Sequence, residues 1–243
     1  MIMEIIKAKN DTDLGNKAAK LAADYLKQAI KEKDKARLLL ATGASQLTTI
    51  NELVKQDVNW EKVEVFHLDE YIGISKKHKA SFQRYIKERF ADKLNLKKTH
   101  FIDGEGDVQE DIKKLTKEIS SSPIDVGLIG IGENAHIAFN DPPADFHTED
   151  SFIRVNLDNT ARQQQVNEGW FDSIEEVPKE AITMSVHQIM QCENIISCVP
   201  YKSKAQAVKN TIESEITNDI PATILKKHRS WSLFLDLDSS SLL

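Results

Sequence analysis

Two cysteines, Cys192 and Cys198, are all that a chain of 243 residues contains. That is too few for a disulfide framework and too few to build a zinc centre on. Both lie in the apolar-flanked run QCENIISCVP and read as buried, inert thiols. Long hydrophobic runs are also missing: no apolar stretch approaches a membrane span. The N-terminus MIMEIIKAKN lacks the basic start and long apolar core of a secretory signal. A cytoplasmic protein without a membrane partner is expected. Nor is positive charge in excess, since 32 Lys and Arg against 38 Asp and Glu leave a formal net charge of −6. Such a balance gives no general attraction to nucleic acid or anionic lipid. The Lys-rich residues 31–37 alternate with Glu and Asp and read as a solvated helix face. Internal repeats and low-complexity linkers are absent too, so one domain over residues 1–243 is expected.

What the chain does have is a regular alternation of helices and apolar strands. Leu14, Ala18, Leu21, Ala22, Tyr25, Leu26 and Ile30 recur at helical spacing and predict a helix over residues 14–33. Further helices are expected around Leu47 and Ile50, over 81–94 and 108–120, from Asn159 onward, and over 202–211. Strands are expected at 37–42, 63–70, 124–132, 153–157, 182–185, 193–200 and 231–238. Continuous apolar strands separated by helices predict a mostly parallel sheet covered on both faces. Ligands of such sheets gather at the carboxyl ends of the strands.

Three of those ends carry chemistry. LLLATGASQLTT runs from a strand through a short turn, with Thr42 and Ser45 hydroxyls, into a helix start; it suits an anion and serves equally as a capped tight turn. It lacks the lysine and spacing of a nucleoside-triphosphate loop. HLDEYIGIS carries Asp69 and Glu70 out of an apolar strand. Their side chains must face opposite ways, so one is expected in a cleft as a candidate base and the other packed or paired elsewhere. GIGENAHIAFNDPP has the glycine spacing of a dinucleotide loop at Gly130, Gly132 and Ala135. Pro142 and Pro143 follow too soon for the helix that such a loop needs. Its polar set of Glu133, Asn134, His136, Asn140 and Asp141 instead suggests a histidine held as an acid or base, or a structural one.

Taken in order, LATGASQLTT, HLDEYIGI and IDVGLIGIGENAHIAFNDPP resemble the glucosamine-6-phosphate deaminase family, whose patterns are PTGGTP-x-x-T, F-x-x-DEY-x-G and G-x-G-x-[DN]-GHIAFN-[DE]-P. The likeness continues through ARQQQVNEGWF, VPKEAITMSV and PYKSKAQAV. It implies an open three-layer α/β/α sandwich of modified Rossmann type. The implied reaction converts glucosamine 6-phosphate and water to fructose 6-phosphate and ammonia, a hydrolase-like step on a small amino-sugar phosphate without cofactor or metal; oligomeric state is left open. Under the resemblance Asp69 is the base that carries a proton from C2 to C1. His136 assists ring opening, and Asn134 and Asp141 orient and tune it. Thr42, Gly43, Ala44 and Ser45 form the phosphate loop, Arg162 and Lys204 are the basic residues on the same phosphate, and Gly132 leaves clearance for the sugar. Residues 159–177 match a lid, or form a plain surface helix.

Departures from the pattern bear on the substrate. Ala44 and Gln46 replace a Gly and a Pro, and Ala135 replaces the Gly before the histidine, where a methyl group is expected to alter the space near the sugar. Asn134 stands where many members have Asp, which leaves Asp141 as the charged partner of His136. Arg154 followed by Asn156 does not reproduce the basic pattern of an allosteric amino-sugar phosphate site, so no such activation is expected. The rivals are a 6-phosphogluconolactonase, disfavoured by Tyr71 and IAFN, a deaminase of the C4 epimer galactosamine 6-phosphate, and a non-catalytic sugar-phosphate sensor.

Overall fold

Leu38 and Leu40 pack toward one side of a central sheet and Leu39 toward the other, and all three are fully buried. The structure, a computed structural model, describes residues 2–167 and 169–243. These leucines belong to β2 (Ala36–Leu40), which lies inside a seven-stranded parallel sheet. Before it come β1 (Ile2–Lys7) and the long helix α1 (Asp11–Lys33). After it come α2 (Leu47–Leu53), β3 (Val63–His67), β4 (Asp69–Tyr71), α3 (Phe82–Arg89), β5 (Lys98–His100), α4 (Val108–Ile119) and β6 (Val126–Leu128). The remainder is β7 (Phe152–Asn156), α5 (Asn159–Asn167), β8 (Glu180–Met184), α6 (Val186–Ile189), β9 (Asn194–Val199), α7 (Ala205–Glu213) and β10 (Ser230–Leu235).

The central sheet has the order β1-β10-β9-β6-β2-β3-β5. On one face Leu14, Ala18, Ala22 and Leu26 of α1 pack with Leu38, Leu40, Val65 and Ile196. On the other, Leu115 and Ile119 of α4 and Val208 of α7 pack with Leu39, Phe66, Ile195 and Leu233. This is the three-layer α/β/α arrangement expected. Cutting one such leucine back to alanine would cost about 2–5 kcal/mol, because a close-packed interior leaves the vacated volume as a cavity. Asn10 caps α1 by accepting from the Asp13 amide at 2.9 Å, and acidic residues in its first turn and lysines in its last suit the helix dipole. Among the described residues no helix is long and apolar enough to cross a membrane.

Three features differ from the sequence expectation. β1 pairs with β10, and β5 with β3, at the two edges of the sheet. The expected strand over 63–70 breaks at Leu68: β3 stays in the central sheet, while β4 joins an antiparallel three-stranded sheet of order β4-β8-β7. His67 holds this break. The Ile102 N–H donates to its Nε2 at 3.0 Å, so the ring proton sits on Nδ1 and is donated to the Asp69 carbonyl at 2.9 Å. Burial pushes the ring's pKa down to about 4, and the Asp69 carbonyl only partly opposes that shift.

Candidate active site

Four neighbouring strands of the central sheet, β9, β6, β2 and β3, open at their carboxyl ends into a cavity of about 230 Å³. It is lined by Thr42, Gly43, Ala44 and Ser45 after β2, by Asp69 after β3, by Gly130, Gly132, Glu133 and His136 after β6, and by Tyr201, Ser203 and Lys204 after β9. The loops after these strands can converge there, since the sheet fixes their roots about 4.8 Å apart.

Asp69 and Glu70 divide as their alternation requires. Glu70 turns away from the cavity: Oε1 accepts from the Tyr71 and Phe82 amides at 3.0 and 3.1 Å, and Oε2 from the Ser81 hydroxyl and Gln83 amide at 2.7 and 2.8 Å. It thereby ties β4 to the start of α3. Asp69 lines the cavity at 6% exposure. Burial pushes its pKa up to about 8, with the charges of Glu70 and Asp141 adding to the rise and the Phe139 amide opposing it. A carboxyl so placed is a proton acceptor matched to weakly alkaline pH.

His136 faces the same cavity, and its Nδ1 lies 3.1 Å from Oδ1 of Asp141, at ion-pair distance but off the line of a good hydrogen bond. Asn134 stands behind the pair. Its Nδ2 donates to the same Asp141 oxygen at 3.0 Å, and its Oδ1 accepts from the His136 backbone amide at 3.2 Å. Burial raises the Asp141 pKa, but the contacts with His136 and Asn134 outweigh it and hold the carboxyl below its ordinary range. Gly132 serves this arrangement: a Cβ there would come within 2.3–2.5 Å of the His136 ring. The clearance that Gly132 provides is therefore for the histidine rather than for the sugar. Ala135 also differs from expectation. Its backbone is left-handed, φ 65°, and the residue is buried in the core cluster instead of lining the cavity.

The loop after β2 is braced from two sides. The Tyr85 hydroxyl donates to the Gly43 carbonyl at 2.9 Å, and Nε2 of the buried Gln46 donates to the Cys198 carbonyl of β9 at 3.1 Å. Gln46, where the family pattern has Pro, thus ties the loop after β2 to the end of β9 across β6.

Arg162 is not at the cavity. Its Nε donates to the Val177 carbonyl at 3.2 Å, its Nη1 to Asn159 Oδ1 at 3.2 Å, and its Nη2 to the Ile174 carbonyl. These three bonds, within its own segment, brace residues 159–177; a guanidinium carries five N–H donors in one plane. That segment includes Glu168, outside the described residues, and offers the cavity Gln164, Gln165 and Trp170 instead. Gln165 also accepts from the Tyr71 hydroxyl at 2.8 Å. Sequence reading missed these three, along with Tyr201 and Ser203, because a single polar helix or turn does not show which side meets the sheet edge. Among the described residues no group of three or more His, Cys, Asp or Glu is placed to hold a metal ion.

Residues 9–234 match the family model described as glucosamine-6-phosphate isomerases/6-phosphogluconolactonase. The chain is 33% identical to a glucosamine-6-phosphate deaminase of Thermoanaerobacter sp. (strain X514), over 99% of this chain and 95% of that protein. It is 33% identical to the glucosamine-6-phosphate deaminase of Lactobacillus delbrueckii subsp. bulgaricus, over 99% and 100%. Among solved structures it superposes on a monomeric glucosamine-6-phosphate deaminase with a TM-score of 0.91 at 29% identity, covering 99% of this chain and 100% of that one. The 6-phosphogluconolactonase of Thermotoga maritima shares the fold, with a TM-score of 0.80 at 15% identity over 97% and 100%.

Proposed function

The chain belongs to the glucosamine-6-phosphate isomerase/6-phosphogluconolactonase family, and on that premise we propose that it is a glucosamine-6-phosphate deaminase, yielding fructose 6-phosphate and ammonia. The observation that carries this reading is the meeting, in one cavity, of a buried carboxyl, Asp69, with a histidine backed by a charged carboxylate, Asp141. Proton transfer at carbon needs the first, and ring opening at oxygen needs the second.

In this mechanism His136 moves a proton to the ring oxygen as the C1 hydroxyl proton leaves, which opens the pyranose and exposes a C1 aldehyde. That carbonyl acidifies the C2 hydrogen. Asp69 takes it, the electron pair shifts toward C1 and its oxygen is protonated, giving an enolamine. Asp69 then returns the proton to C1, and the resulting C2 ketimine adds water and expels ammonia. One water is consumed, so the net reaction is hydrolytic, and no electron is gained or lost. Thr42, Gly43, Ala44, Ser45 and Lys204 hold the phosphate. That remote contact fixes C1 and C2 against Asp69 and supplies binding energy that is spent on orientation. Arg162, which braces residues 159–177 beside the cavity, is a further candidate for the phosphate through its remaining donors.

The test is to incubate the purified protein separately with glucosamine 6-phosphate, galactosamine 6-phosphate and 6-phosphogluconolactone. Ammonia and fructose 6-phosphate are expected from the first. Absence of ammonia from both amino sugars, or acid release from the lactone alone, would overturn the reading.

A further inference from the structure

Two loops that frame the cavity share one design. β2 leads through Gly43 into a tight helical turn, Ala44–Gln46, and then α2; β9 leads through Tyr201 into the matching turn Lys202–Lys204 and then α7. The residue before each turn has positive φ with extended ψ: 94° and 171° at Gly43, 83° and 145° at Tyr201. That corner of backbone space belongs to glycine, because a Cβ there crowds the neighbouring carbonyls. The first loop uses glycine and the second uses tyrosine.

Strain of this kind persists where the surroundings enforce it, and it concentrates at functional sites. The Tyr201 amide donates to Asp236 Oδ2 at 3.0 Å, and its carbonyl accepts from the Lys204 amide at 3.0 Å. A glycine would make both bonds equally well, so neither explains the side chain. What the side chain does is reach the cavity, whose wall it joins beside Ser203 and Lys204 while 36% exposed. Its phenol also lies close enough to Tyr85 to oppose ionisation of that hydroxyl, which is the one bonded to the Gly43 carbonyl. Tyr201 of the second loop and residues 42–45 of the first both line the same cavity. Burial, Asp11 and Asp236 all raise the Tyr201 pKa, so the phenol keeps its proton and remains a donor.

We propose that Tyr201 is a specificity-determining residue whose phenol covers the phosphate-loop end of the cavity and donates to the phosphate ester of a bound sugar phosphate. The proposal rests on the sugar-phosphate reading of the same site.

Glucitol 6-phosphate, an open-chain probe that cannot turn over, separates the two ideas when its binding is measured by calorimetry alongside thermal unfolding. In Tyr201→Gly the backbone strain is relieved, so Tm should hold or rise while affinity falls by about tenfold, the worth of one hydrogen bond to a charged group. Tyr201→Phe keeps the ring and should lose most of that affinity with Tm unchanged. If either variant binds the probe as tightly as the unaltered protein, the corresponding contact is not made and the proposal fails. If Tyr201→Gly lowers Tm sharply, Tyr201→Phe decides alone. An unaltered protein that binds no glucitol 6-phosphate would overturn the sugar-phosphate reading itself, and this inference with it.

Discussion

Nδ1 of His136 lies 3.1 Å from Oδ1 of Asp141, and that one oxygen also receives the Asn134 amide at 3.0 Å. A single carboxylate oxygen thus carries both the charge beside the imidazole and the bond that fixes the carboxylate's own orientation. The amide adds direction without adding charge, as its substitution for the family's more usual Asp implies. In the proposed reaction the Nδ1 proton faces Asp141 and Nε2 is left for the ring oxygen.

Asp141→Asn should therefore be costly to the chemistry and cheap to binding. An amide can turn its own N–H groups toward Nδ1, which selects the wrong tautomer for a proton shuttle. We expect kcat to fall by about a hundredfold, with the Kd of glucitol 6-phosphate within twofold of the unaltered protein. A variant that retains full turnover would show that the pair has no part in ring opening.

Gly132→Ala tests the same pair from the other side. Its Cβ would stand 2.3–2.5 Å from ring atoms of His136, too close for any contact, so the ring must leave its place beside Asp141. The expected result is loss of at least about tenfold in kcat, with the far-ultraviolet circular dichroism unchanged. Undiminished turnover would mean that the observed ring position is not the working one.

Much of this was legible in the sequence, for identifiable reasons. β2, β9 and β10 are buried on both faces over most of their length and so read as mainly apolar runs, and β3 does so apart from Glu64. β5 has only three residues and β1 sits at a sheet edge, so neither leaves that signature. The break at Leu68 was hidden because residues 63–71 stay extended and largely buried across it, and only pairing distinguishes the sheets they enter. Asp69, His136 and the Thr42–Ser45 turn were found because a strand end announces its location. That Arg162 bonds the carbonyls of Ile174 and Val177 was not legible, because its sequence neighbours do not show how its segment folds back on it. The methyl of Ala135 and the backbone of Tyr201 depend on φ, which no residue pattern displays.

The pH dependence has a definite sign. As a base, Asp69 works deprotonated, and its pKa stands near 8. Accordingly kcat/KM should climb from pH 6 to pH 9 with a midpoint near 8, and a flat profile over that range would remove Asp69 as the base. Stability runs the other way. A carboxyl whose folded pKa lies above its unfolded 3.8 favours folding fully below that value and progressively less up to about 8. Asp69→Asn should then raise stability at pH 8–9 by about 2 kcal/mol, with the gain vanishing toward pH 4. Chemical denaturation at several pH values measures it.

Glu70 next door should give the opposite result. Its two oxygens receive four donors from Tyr71, Ser81, Phe82 and Gln83, and the residue is 2% exposed. Glu70→Gln keeps the shape but replaces one acceptor oxygen with an NH2 group, which would face two of those donors and leave them unsatisfied. A loss of about 2–3 kcal/mol is expected at neutral pH, the usual cost of stranding buried polar groups. Glu70 also helps to raise the Asp69 pKa through its charge. Removing that charge should move the rising limb of kcat/KM to lower pH, while kcat at its plateau changes little because Glu70 does not line the cavity. The two neighbours therefore predict opposite shifts in Tm at pH 8: upward for Asp69→Asn and downward for Glu70→Gln. If both moved Tm the same way, the division between a destabilising carboxyl kept for chemistry and a stabilising one kept for structure would not hold.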